Sequence, residues 1–114
     1  MQIRKTYQQV NPELLSAEIK DFIIKQGALL DESKLETYTL PDESATFVSR
    51  STMTFKAREE QGKPTRECLR VHIVGSVRTE TKMMLDIDER LFPAEKIAAL
   101  QADLDFIFGG YEVK

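Results

Sequence analysis

The residues best suited to chemistry in this chain are its single histidine, His72, and its single cysteine, Cys68, which lie on one short segment with Arg70 between them. A cysteine–histidine pair needs hydrogen-bond reach, about 3 Å. The segment alternates apolar and polar residues as a strand does, and positions four apart on an extended strand are ~13 Å apart. Cys68 and His72 therefore cannot activate each other along it. The expected role of His72 is that of an ordinary histidine on a sheet face.

One histidine and one cysteine also exclude the usual Cys/His zinc sets within one chain. Oxygen ligands are concentrated at Asp86 and Asp88, which share a face at the end of a strand, with Glu89 beside them. Their ~7 Å separation is too wide for joint chelation. Acids there suit the positive N-terminus of a following helix. Gly62-Lys63-Pro64-Thr65 resembles the end of a phosphate-binding loop, but lacks the upstream glycine and sits in a hairpin rather than between strand and helix. Gly109-Gly110 reads as a helix stop. No cofactor or metal site follows, and no residue set combines the types and spacing that catalysis requires.

The totals agree with a plain globular domain. The chain has 114 residues, 41% hydrophobic and 31% charged, with a formal charge of -3. That length suits one domain spanning residues 1–114, with a core that needs no disulfide or metal. An acidic balance argues against a general polyanion binder. One cysteine forms no intramolecular disulfide, which fits a reducing compartment. The N-terminus has no apolar run after its basic pair, and no stretch approaches the ~20 apolar residues that span a bilayer. The expected location is the cytoplasm, with no membrane partner.

Hydrophobic period places the elements. Residues 2–9 form a modest strand with Ile3 and Tyr7 on one face, and Lys5 between them suits a sheet edge. Asn11-Pro12-Glu13 starts a helix with a capping side chain, a proline and a first-turn acid. Its buried stripe is Leu15, Ile19, Phe22 and Ile23, widened by Leu14 and Ile24, and Gly27 ends it. Strands follow at 34–40, 45–57, 67–77 and 81–88, joined by a turn at Pro41-Asp42-Glu43-Ser44, a polar loop over Arg58–Arg66 and a turn near Arg78–Glu80. In the third of these strands Leu69, Val71, Ile73 and Val77 are expected inward, and Cys68, Arg70, His72 and Val74 outward. Met83, Leu85 and Ile87 are expected inward in the fourth. Phe92-Pro93 opens a last helix whose stripe is Ile97, Leu100, Leu104, Ile107 and Phe108.

The order β-α-β-β-β-β-α with short links predicts an α+β domain: a curved five-stranded antiparallel sheet with two helices on one face. A strand over 45–57 is roughly 40 Å long, whereas the helix covering it is only roughly 24 Å. The strands should therefore curl round the final helix, with Ser49, Ser51 and Gly75 small enough to permit the bend. The element order resembles the helix-grip architecture of TATA-binding-protein repeats and of the birch-pollen-allergen and START-like lipid-binding proteins. The resemblance covers the whole chain and rests on order and length. No family motif accompanies it, so no family residue is carried over.

The resemblance implies two uses of such a sheet. One is DNA binding on the open face, where Arg4, Arg50, Arg70, His72 and Lys82 give a mixed basic surface. Only Tyr38 supplies an aromatic there, and Glu36, Asp86 and Asp88 dilute the charge, so nucleic acid is the third choice. The other is a small apolar ligand held between helix and sheet, in a pocket lined by Ser49, Ser51, Met53, Met83, Leu104 and Phe108. Two helices and five strands leave little room for it. The preferred expectation is a non-catalytic interaction domain that self-associates as a homodimer. Val48, Val74 and Met84 form an apolar strip on the open face and are its expected interface.

Overall fold

The computed structural model of the protein describes residues 1–40, 43–58 and 66–113. Pro41-Asp42 of the expected turn and residues 59–65 of the expected loop, with Gly62-Lys63-Pro64-Thr65, lie outside them. The elements are β1 (Gln2–Gln8), α1 (Pro12–Lys25), β2 (Leu29–Leu40), β3 (Glu43–Lys56), β4 (Glu67–Gly75), β5 (Glu80–Ile87) and α2 (Ala94–Phe108). They form one open antiparallel sheet in the order β1-β5-β4-β3-β2, an α+β domain with the strand order expected. Lys5 sits on an edge strand, as its charge suggested.

Register defines the two faces. Residues directly opposite one another in an antiparallel pair point to the same side. One inner row therefore runs Ser33–Met53–Val71–Leu85–Ile3, and the next runs Leu35–Ser51–Ile73–Met83–Lys5. Met53, Val71, Ile73, Met83 and Leu85 are buried there beneath Leu15, Ile19 and Ile23 of α1 and Ile97, Leu100 and Leu104 of α2. Both helices thus lie on this face, and no described helix is long and apolar enough to cross a membrane.

Helix α1 begins as its sequence dictates. Pro12 occupies the first turn, and the Asn11 Oδ1 accepts the Glu13 backbone N–H at 2.8 Å. Gly27 follows it at φ +98°, a backbone that glycine adopts without cost. Lys96 of α2 donates from Nζ to the Gln26 carbonyl at 2.7 Å, a cation placed at the negative end of α1. Leu14 and Ile24, expected to widen the stripe, are 65% and 44% exposed. The stripe is the narrower one.

The helix that crosses the sheet's centre is α1, not the last one. Ser16 of α1 shares a hydrogen bond with Ser51 of β3 at 2.7 Å, and Ser49 donates to Glu13 at 3.5 Å. These small polar residues seat α1 closely on β3. Helix α2 runs from beside Cys68, where Phe92 and Lys96 line the same small crevice, to the outer side of β1. There Phe108 meets Tyr7 edge-on at 6.0 Å, and Asp105 faces Lys5 at 3.6 Å. Ile107, expected on the stripe, is 40% exposed, and the chain continues past α2 into a 3-10 turn, Gly109–Tyr111.

Two inward–outward assignments need correcting. Cys68 is buried, not on the open face. The β3–β4 register shifts between Phe55 and Lys56, so Cys68 is an extra residue that the bulge leaves beside Leu69, and both turn inward. Burial raises the pKa of its thiol, which disfavours the reactive thiolate. Val77 is 53% exposed, because β4 ends at Gly75 and Ser76 begins the turn.

Glu18 of α1 and Asp103 of α2 meet across the helix interface. A hydrogen bond to Asp103, followed by burial and the like charge of Asp103, raises the Glu18 pKa. The proton is bound more tightly in the folded chain than in the unfolded one. The resulting stability is full below the ordinary glutamate pKa and is lost as pH rises through the raised value. Glu18→Gln should therefore raise stability at pH 7 by about 0.5 kcal/mol, since it removes one partially exposed like-charge contact. Thermal melts from pH 4 to pH 8 should show a flatter profile for the variant; two parallel profiles would contradict this.

Candidate interaction surface

Strand β2 decides what this fold offers to a partner. Every residue from Leu29 to Thr39 is exposed. Among the described residues the strand is hydrogen-bonded to β3 alone, and α1 approaches it only across a cleft at Ser33 and Leu35. Its inner-face positions are Leu30, Ser33, Leu35, Thr37 and Thr39, opposite Phe55, Met53, Ser51, Ser49 and Phe47, and Leu35 is 54% exposed. On the same overhang Phe47 of β3 is 60% exposed. The molecule measures 52 × 26 × 20 Å.

The two sheet edges are treated differently. Along β1 the C-terminal segment lies down as cover: the Val113 N–H donates to the Thr6 carbonyl at 2.7 Å, and Lys5 Nζ pairs with Glu112 at 3.0 Å. Tyr7 and Glu112 form an antiparallel bridge there. Nothing among the described residues covers β2 in this way. An uncovered edge presents a row of unpaired N–H and C=O groups, which a second strand can satisfy.

The pocket proposed from sequence is divided by the fold. Ser51 and Met53 open onto a cleft of about 170 Å³ between α1 and β2, with Ser16, Ala17, Ser33 and Leu35. Ser49 and Phe47 border a second one, of about 230 Å³, at the N-terminus of α1. Met83 and Leu104 are in the core, and Phe108 packs against it near Tyr7. The six residues therefore do not surround one space. Both clefts are smaller than the roughly 300–1,000 Å³ of sites that hold small molecules.

On the open face, Val48, Val74 and Met84 are each half-buried. Val48 lies opposite Tyr38, Val74 opposite Arg50 and Lys82, and Met84 opposite His72 and Arg4. Each apolar residue is one step out of register with the next, so the strip is diagonal, within reach of long side chains only. Arg4, His72, Val74, Lys82 and Met84 share a shallow depression of about 280 Å³. A broader hollow of about 670 Å³ over β2 and β3 is lined by Glu32, Lys34, Glu36, Arg50, Thr52 and Thr54, all polar. The face thus runs from acidic residues at β2 to basic ones at β1 and β5. Among the described residues it has no basic-aromatic platform for single-stranded nucleic acid.

The other chemical candidates separate. Asp86 projects from the open face opposite Arg70, whereas Asp88 has left the strand to accept the Arg90 backbone N–H at 3.0 Å and to pair with its guanidinium. Those bonds with Arg90 hold the Asp88 carboxyl below its usual range. Among the described residues no group of three His, Cys, Asp or Glu side chains is placed to hold a metal.

Sequence period placed a strand at 34–40 and so missed the first five residues of β2 (Leu29–Leu40), as well as its position at the margin of the helix layer. The available signal was its inner face beyond residue 32: Ser33, Leu35, Thr37 and Thr39 offer one large apolar residue, too few for a strand under a helix. Compared with protein-family models, curated proteins and solved structures, the chain matches none.

Proposed function

We propose that the protein is a non-catalytic interaction domain that self-associates along the open edge of β2. The observation that supports this is the exposure of Leu29–Thr39, an edge strand with Leu29, Leu30, Leu35 and Tyr38 all more than a third exposed. A strand that long, held on one side only, gains most from a second strand on its free side. A homodimer built there would be a continuous sheet of two copies.

Two other readings fit less well. A carrier of a small apolar ligand wants one enclosed apolar cavity, and the proposed lining residues are split between small clefts and a filled core. The open-face strip of Val48, Val74 and Met84 is a second self-association surface, weaker because its members are half-buried and out of register. Nucleic acid finds basic residues near Arg4 and Lys82 without aromatic partners.

Light scattering over a dilution series tests the proposal. The expected mass rises with concentration from 13.1 kDa towards twice that value. Leu35→Glu should hold it at the lower mass, and Met84→Glu should leave the rise intact. If Met84→Glu alone abolishes the rise, the interface is the open face. A monomer at every concentration overturns self-association altogether.

A further inference from the structure

Building on the self-association just described, we infer that the partner of β2 is the β2 of a second copy, paired antiparallel about a two-fold axis at Leu35. The pairing with β3 is regular from Glu32 to Thr39, and a register shift between Leu30 and Glu32 ends that run. The partner strand must therefore be centred within residues 32–39.

Geometry leaves few centres. Residues opposite one another share a sheet face, so two-fold pairing joins positions of the same parity, and the axis passes through a residue. Charge then chooses among them, because like charges directly opposite destabilise and opposite charges favour the pair. An axis at Lys34 sets Lys34 against its own copy and Glu32 against Glu36. An axis at Glu36 sets two Glu36 carboxylates face to face. An axis at Ser33 matches Glu32 with Lys34, but runs into the shift at Leu30 and places Leu35 against Asp31.

An axis at Thr37 leaves Glu36 opposite Tyr38 and gives neither Lys34 nor Glu36 an opposite charge, whereas an axis at Leu35 avoids each conflict and pairs both. Leu35 meets the second Leu35 on the inner face, Lys34 meets Glu36 on the open face, and Glu36 meets Lys34 in return. Ser33 then opposes Thr37, two hydroxyl residues. Lys34 and Glu36 already lie 3.5 Å apart on their own strand, with side chains 75% and 51% exposed. In the pair the four charges alternate in sign around the axis. The Lys34-Leu35-Glu36 pattern is complementary to its own reverse.

The test exchanges charges at two exposed positions, where folding is not at stake. Lys34→Glu alone and Glu36→Lys alone should each weaken the dimer about tenfold by light scattering, because each opposes like charges twice. Mixing the two variants should restore the dimer, and Lys34→Glu/Glu36→Lys should dimerise alone. Repulsion within each single-variant strand persists in the mixture, so rescue reports contact between copies. A dimer unaffected by either single change, or a mixture that stays monomeric, overturns the Leu35-centred pairing while self-association stands. A wild-type chain that is monomeric throughout overturns both.

Discussion

Gly75→Ala is expected to lower the melting temperature by about 10 °C, because the added methyl group has nowhere to go. Gly75 lies on the inner face opposite Thr81. A Cβ there would press into the Thr81 Cα and stand 2.5 Å from both the Glu80 carbonyl oxygen and the Thr81 hydroxyl. The first two contacts are backbone, so no side-chain rotation relieves them. Thr81 is also fully buried and donates to the Val10 carbonyl at 2.9 Å, which ties β5 to the chain entering α1. Pushing β5 away strains that link as well. Overpacking of this kind costs about 2–3 kcal/mol, which corresponds to the stated shift for a domain of this size. Calorimetry decides it: a melting temperature within about 2 °C of wild type would mean that β4 and β5 separate here without cost.

Leu104→Ala is expected to cost about 3 kcal/mol in urea denaturation. Leu104 is fully buried beneath α2, in a core with Tyr7, Leu100 and Met83. Truncation in a filled core leaves a hole its neighbours close only in part. The same residue was expected from sequence to line a ligand pocket. A residue bordering an existing cavity loses fewer contacts, so a cost below about 1 kcal/mol would favour the carrier over the packed core.

Much of the architecture was legible in the residues. Asn11-Pro12-Glu13 marked the start of α1 within a residue, and alternation at 69–73 and 83–87 identified the inner faces of β4 and β5. Those signals are local, set by capping geometry and by the two-residue period of a strand. What failed was set by contacts distant in sequence. Cys68 followed the alternation of its neighbours, and only pairing with β3 created the bulge that turned it inward. Ile107 kept helical spacing, yet α2 reaches the sheet's edge before that position finds cover.

The candidate surface was harder to read for a related reason. Strand lengths suggested that the sheet would wrap the final helix, and this directed attention to the space beneath it. Helix α1 instead seats on β3, and β2 lies beyond it with every residue from Leu29 to Thr39 exposed. Ser33, Leu35 and Thr37 carried that information in their polarity, but strand period alone says which residues share a face, not whether anything covers it. On an isolated strand Glu36 reads only as diluting the charge of the open face, and Lys34 carries no signal of its own. Their complementarity emerges when the strand is set against its own reverse.

The central claim is that β2 completes itself with another copy, and the molecular mass in solution across a dilution series tests it most directly. The account predicts a concentration-dependent rise from 13.1 kDa towards the dimer, abolished by Leu35→Glu. A mass fixed at 13.1 kDa over the whole series would contradict it.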